Sequence, residues 1–500
     1  MKNTNYITVP IFTTLKEIKE RGYSLSATQY KNFYIKNKNL KTVEDFLNRK
    51  LEKGDLGSEV GSDSYIRYSD YKFIKTKALQ KESYLINEVK DATEFIIPQK
   101  FIQMNLKEGD LLISKDSNVG EIIILDRDYP NSMLCGGIYR LPIDKNRYYL
   151  LAFLKSNLVR EQLDFLIPRG STIRHGKTKF LECKIPVPNI NKNLTIKYVE
   201  ILMKAIINKE ISIKYKYEKA MEYIEKELSK NQKSAQFVFE LPTLKELLLL
   251  ERMDSSLYSK EFKQKEFLIR NYKYGVSTLK ELNFSISRGQ NLQISNIGKS
   301  VQTGIKKEGY YKLILPNYIS KYGTINKTEY LGNSYELKTL NRGDIIFGAE
   351  GNEKGRSYLI INQEDKTITN IHGIVLNHNN ESLEKSISIK LFLDYYRMKG
   401  MIDAYAVGGN GGSLAIKYWD FLQFPNFPIN VEKKLSTFYY NNINYEPKKY
   451  KDLDGFFAYD NDFNAKAGIY EIDISLKYLQ NLLSETIEKI AKDEEVMIVF

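Results

Sequence analysis

Leu106-Lys-Glu-Gly-Asp-Leu-Leu-Ile113 returns as Leu340-Asn-Arg-Gly-Asp-Ile-Ile-Phe347, and the next glycine follows at Gly120 in one place and Gly355 in the other. The two aspartates lie 234 residues apart. Working outward, Thr14-Leu-Lys-Glu-Ile18 is echoed 229 residues later by Thr243-Leu-Lys-Glu-Leu247, and Arg21 to Tyr30 by Arg252 to Tyr258. Downstream, Gly170-Ser171, Phe180-Leu181 and the Pro186/Pro188 pair match Gly412-Ser413, Phe421-Leu422 and the Pro425/Pro428 pair. Each landmark alone is weak. Their common order and slowly drifting spacing mark the chain as two copies of one unit.

Each copy mixes strands and helices. Asp110 to Ile113, Glu121 to Leu125, Asp344 to Phe347 and Tyr358 to Ile361 read as short strands bounded by Gly, Asp and Asn. Gly109 and Gly343 are expected to supply a positive φ, with Asp110 and Asp344 closing the turn. Tyr149 to Phe165 and Ile389 to Tyr405 have helical periodicity at matching positions. After each proline pair a longer helical pattern begins. In Asn193 to Lys230, Val199, Leu202, Ile206, Ile213, Tyr217, Ala220, Ile224 and Leu228 form one stripe. A helix from Lys192 to Lys230 would reach about 55 Å. Leu476, Leu479, Leu483, Ile487 and Ile490 form a second stripe, a natural partner for an antiparallel coiled coil. Part of both stripes is expected to stay exposed for a partner's helices. Between Val431 and Phe500, Pro447, Gly455 and Gly468 predict an inserted loop near 445–468.

A chain of 500 residues exceeds the size of single cores, so more than one domain is expected. Its 42% hydrophobic content and mean hydropathy of −0.42 exclude bulk disorder. No apolar run approaches the length of a membrane span, and no secretory leader is visible, so a cytoplasmic protein is expected. Two cysteines without C-x-x-C spacing and three histidines argue against structural zinc or a disulfide framework. A net charge of +13 suits a phosphate-bearing partner, although the abundance of Lys, Asn, Ile and Tyr also follows AT-rich codons.

A Gly-Asp-(Leu/Ile)-(Leu/Ile) strand, a downstream Gly-Ser loop, a Phe-Leu and an Ile-Pro-Val-Pro exit into a long helix, with the succession duplicated, resembles the specificity (S) subunit of type I restriction-modification systems over nearly the whole chain. The resemblance implies an α+β chain in which two mixed α/β target recognition domains each read half of a split DNA site, held apart by the long helices. On that plan target recognition domain 1 spans 1–190, helical spacer 1 spans 191–235, target recognition domain 2 spans 236–430, and helical spacer 2 spans 431–500. It also implies no catalysis in this chain. S-adenosylmethionine would sit on partner methyltransferase (M) subunits, two by expectation, and a restriction (R) subunit stays open.

The residues agree on catalysis. The nearest approach to an amino-methyltransferase motif, Pro316-Asn-Tyr318, lacks the paired proline. Gly408-Gly-Asn-Gly-Gly412 runs into Ser413-Leu-Ala rather than the Gly-Lys-Ser/Thr of a phosphate loop. The rivals are a self-sufficient restriction or modification enzyme and a phage-defence scaffold that binds a protein. For contact with double-stranded DNA the Gly-Ser loops are the best candidates. Arg169, Ser171, Thr172, Arg174, His175, Lys177 and Lys179 could track phosphates, and Arg169 or Arg174 could reach guanine. His175 has no companion at ligand spacing and reads as a polar loop residue. The second copy offers Asn410, Ser413 and Lys417. The strand-end loops add Lys115 and Asn118 in one copy and Asn352 and Lys354 in the other. Because the paired loops differ in charge, the two units should read different bases.

Overall fold

The structure is a computed structural model. It describes residues 6–8, 10–20, 22–23, 25, 30, 32–89, 91–167, 176–233, 235–351, 353–363, 366–378, 382–408 and 412–500. The chain forms two compact units. The first comprises Lys2–Ile211, Tyr445–Ala465 and Ile474–Phe500, and the second Ser212–Asn444 and Lys466–Asp473.

Strands of the first unit are β1 (Ile7–Thr8), β2 (Asn32–Phe33), β3 (Leu40–Thr42), β4 (Tyr65–Ile66), β5 (Lys72–Ile74), β6 (Thr93–Ile96), β7 (Leu111–Ser114), β8 (Ile122–Ile124), β9 (Ser132–Leu134), β10 (Ile138–Leu141) and β11 (Lys184–Pro186). Those of the second are β12 (Val276–Ser277), β13 (Phe284–Arg288), β14 (Ser300–Thr303), β15 (Tyr311–Leu313), β16 (Glu329–Asn333), β17 (Ile345–Gly348), β18 (Ser357–Leu359), β19 (Thr367–Ile368), β20 (Gly373–His378) and β21 (Phe424–Pro425). β1 pairs with β2. The first unit then builds sheets in the orders β4-β6-β5-β9, β10-β7-β8 and β11-β3. The second builds β14-β16-β15-β19, β13-β20-β17-β18 and β12-β21. The parallel strand pairing recurs as well, β5 with β9 and β15 with β19. The duplication seen in the sequence is therefore a duplication of strand pairing. One difference stands out. β13 adds a full strand beside β20, whereas the described residues of the first unit make an isolated bridge there, Leu56 to Tyr139.

The repeated motifs work through local hydrogen bonds. Thr14 and Glu17 form a reciprocal capping box, the Thr14 N–H donating to Glu17 at 2.9 Å and the Glu17 N–H to Thr14 at 3.2 Å. Thr243 and Glu246 repeat both bonds at the same distances. A second pair escaped the sequence comparison: the Thr42 N–H donates to Asp45 at 2.7 Å and the Thr278 N–H to Glu281 at 2.7 Å. Gly109 and Gly343 have φ of 83° and 92°, a region costly for any residue with a Cβ. In the same turns the Lys107 and Asn341 N–H groups donate to Asp110 and Asp344.

β7 and β8 are buried on both faces. Leu111, Ile113, Ile122 and Ile124 face one core, with the helices Arg147–Leu154 and Asn157–Leu166 and the start of the long helix. Leu112, Ile123, Leu134 and Ile138 face the other, with Phe73 and Ile96. Successive strand side chains alternate faces, so an unbroken apolar run is what two cores require. The second unit repeats the paired helices as Leu383–Met398 and Met401–Tyr405.

The long helix spans Lys192–Lys230 as expected. Its stripe from Val199 to Leu228 is buried within the chain, which corrects the expectation of an exposed docking stripe. In the first unit the helix Ile469–Ala491, from residue 474 onward, runs against the long helix up to Ile211. Tyr198 bonds Thr486, while Tyr84, whose N–H is held by Glu210, bonds Gln480. The loop expected near 445–468 is also corrected. It contains the helix Leu453–Lys466, with Phe456 and Phe463 buried. Asp452 caps that helix by accepting the Gly455 N–H, so Gly455 falls in its first turn, where it does not break it. Asp460 on this helix pairs with Lys209 at 2.8 Å, and both are fully buried.

Candidate nucleic-acid interface

Tertiary structure brings the predicted loops together in each unit. Where β7 ends, the Lys115 N–H donates to the Gly137 carbonyl at 2.8 Å and the Gly176 N–H donates to the Lys115 carbonyl at 2.6 Å. Segments 115–118, 136–137 and 176–179 thus form one corner. A Cβ at Gly176 would lie 2.5 Å from Val119 and 2.9 Å from Ile167, so glycine is needed for this approach. Lys115 is paired with Asp116 at 2.7 Å. Asn118 donates to the carbonyl of Leu79 at 3.1 Å and so fastens the loop to the turn Thr76–Ala78. Lys177 is exposed, and Lys179 is exposed with Glu182 at 2.7 Å. Arg169, Ser171, Thr172, Arg174 and His175 lie outside the described residues.

In the second unit the equivalent corner forms where β17 ends. The Leu414 N–H donates to Ala349 at 2.8 Å and the Gly351 N–H to Gly412 at 3.1 Å. Ser413 is held through its backbone, exchanging bonds of 2.8 and 2.9 Å with Val407. Lys354 reaches Asp403 at 2.5 Å with its side chain largely covered. Lys417 is exposed and bonds Glu251 at 3.0 Å, which raises its pKa. Asn352 and Asn410 lie outside the described residues. Three residues not selected from sequence complete this corner. His372 Nδ1 lies 2.7 Å from Glu350, and Arg288 lies 3.4 Å from the same carboxylate while donating to the Ile371 carbonyl at 3.0 Å. Glu350 stood inside a loop already singled out. Arg288 and His372 carried no local signal, since each meets Glu350 only through the strand pairing of β13, β20 and β17.

Cations with covered side chains tie the backbone near both corners. Lys155 donates to the carbonyls of Gln80 and Ser83 at 2.8 and 2.6 Å, and burial pulls its pKa down to about 8. Glu121 lies 3.9 Å from it and 2.7 Å from Arg160. In the second unit Arg356 donates to Ile319 at 3.0 Å, its pKa lowered by burial to about 10. Arg397 donates to Lys321, and Lys390 is fully buried against Asp394 at 2.6 Å. The long helix supplies an anchor to each unit. Glu210 accepts from Ser83 and Tyr84, and Tyr217 accepts from Arg397. Among the described residues no group of three His, Cys, Asp or Glu is placed to hold a metal ion, and no helix is long and apolar enough to cross a membrane. What the corners offer is polar side chains on a backbone fixed by glycines and carbonyl contacts, a surface suited to recognition.

Residues 61–215 match the family model described as the type I restriction modification DNA specificity domain. No curated protein sequence matches the chain. Among solved structures it is similar to the type I restriction-modification S subunit from M. genitalium, at 14% identity over 92% of this chain and 96% of that one, with a TM-score of 0.39. It is also similar to a chain solved for the complex assembly and conformational transition of the type I R-M system, at 10% identity over 92% and 99%, TM-score 0.28. A third is the HsdS subunit from Thermoanaerobacter tengcongensis, at 10% identity over 91% and 96%, TM-score 0.26.

Proposed function

We propose, on the match of residues 61–215 to the type I restriction modification DNA specificity domain, that the whole chain is the DNA-specificity subunit of such a system. Each unit reads one half of a bipartite double-stranded site. The observation that carries this reading is the repeated strand pairing: the second unit rebuilds the sheet orders of the first and then presents different side chains at the same corner. One scaffold with two reading surfaces is what a split, asymmetric target requires. Glycines let backbone N–H groups approach phosphates, which fix register, while side chains at the corners meet base edges.

On this reading the chain performs no chemistry. It works in the cytoplasm with methyltransferase subunits, which bind S-adenosylmethionine and methylate adenine. The test is to express the chain with its methyltransferase partner and sequence the modified bases. A bipartite methylated site, absent when either component is withheld, supports the proposal. Methyl transfer or DNA cleavage by the purified chain alone overturns it.

A further inference from the structure

We propose that Arg288, Glu350 and His372 form a base-reading cluster that takes a G·C pair in the half-site read by the second unit. Arg288 donates to guanine O6 and N7, Glu350 accepts from the cytosine N4 amino group, and His372 positions the carboxylate. The inference deepens the DNA-specificity reading and rests on it.

The three groups come from neighbouring strand ends. Arg288 closes β13 opposite Ile374, and Gly348 closes β17 opposite Gly373 at the start of β20. Glu350 follows β17 and is bridged to Ser413, while His372 directly precedes β20. The backbone after Arg288 is pinned. The Gly289 N–H donates to Gly373 at 2.9 Å, and a Cβ at Gly289 would lie 2.2 Å from the Asn370 carbonyl. The side chains are restrained but not covered: Arg288, Glu350 and His372 are 42%, 35% and 59% exposed. Exposed ion pairs contribute little to stability, so the fold gains little from gathering three ionisable groups here.

The pattern matches one base pair. A cationic fork beside a carboxylate presents donors and then acceptors, and in the major groove a G·C pair presents two acceptors and then an amino donor. Against A·T the guanidinium would meet the adenine N6 amino group and Glu350 the thymine O4 acceptor, both unfavourable. Among the described residues the first unit has no such arrangement. There Asp116 pairs with Lys115, and Gly136 and Gly137 stand before β10.

The test uses the complete complex with its methyltransferase and duplexes varied one position at a time around its mapped site. Glu350→Gln and Arg288→Ala should each reduce discrimination for one G·C pair of one half-site roughly 10- to 100-fold. His372→Ala should weaken discrimination at the same pair by less. The other half-site and the remaining positions should keep their preferences, which also shows that the variants fold. Uniform weakening on all sequences, unchanged discrimination, or a half-site without a G·C pair sensitive to residue 350 overturns the cluster while leaving the DNA-specificity reading intact. If the wild-type complex shows no bipartite site, that reading fails and the cluster with it.

Discussion

Where β7 ends, Lys115 sits with Asp116 before two glycines; where β17 ends, Glu350 sits between His372 and Arg288. Beneath these unlike corners lie equal turns, with Gly109 and Gly343 at positive φ and Asp110 and Asp344 closing them. The difference shows which residues the scaffold uses. Capping threonines and turn aspartates satisfy backbone groups that would otherwise be left unpaired, and turn glycines take a φ that a Cβ disfavours, so a fold built twice keeps them. At the corners the side chains differ, and apart from single bonds such as Asn118 to the Leu79 carbonyl and Arg288 to the Ile371 carbonyl they meet other side chains.

The supports below the corners also differ, and this gives the largest expected effect. Asp394→Ala would leave Lys390 charged and buried without its partner, destabilising the second unit by about 3–5 kcal/mol. Lys155→Met in the first unit removes bonds to the carbonyls of Gln80, Lys81 and Ser83 while Glu121 keeps Arg160, and should cost about 1–3 kcal/mol. Amide exchange at 320–323 and 80–83 measures the two; equal losses would erase the contrast. Lys155 also predicts a pH dependence. Its pKa falls from 10.5 to about 8. Between those values the unfolded chain holds a proton that the folded chain has released, so this group makes stability rise with pH. The stability cost of burying the charge is full below about 8 and gone above 10.5. Lys155→Met should abolish that slope.

The capping boxes predict sameness. Thr14→Ala and Thr243→Ala should each cost about 1 kcal/mol and loosen the helices Leu15–Glu20 and Leu244–Leu250 alike. Exchange that differs clearly between the two would show that the boxes are not equivalent. The smallest effect separates the corners again. If exposed Lys177 contacts a phosphate, Lys177→Ala should lower the salt slope of DNA binding by about 1. Lys417, already bonded to Glu251, should change it little. The reverse ranking would move the phosphate contacts to the second corner.

The sequence by itself determined the duplication, short strands of each copy, the long helix and the Gly-Asp turns. All of these rest on interactions within a few residues or on hydrophobic periodicity, and a linear chain displays both. It misplaced the segment 445–468, because Pro447, Gly455 and Gly468 count as breakers until Asp452 is seen to cap a helix and Phe456 and Phe463 are seen to be buried. It left the stripe of the long helix available to a partner, because periodicity marks an apolar face without saying what covers it. Of the predicted contact residues, Lys177 and Lys179 are exposed, whereas Asn118 turns inward and Lys354 is largely covered. Only the tertiary structure decided which loops meet and which charges they present. Arg288, Glu350 and His372 are distant in the chain, and strand pairing alone sets them side by side.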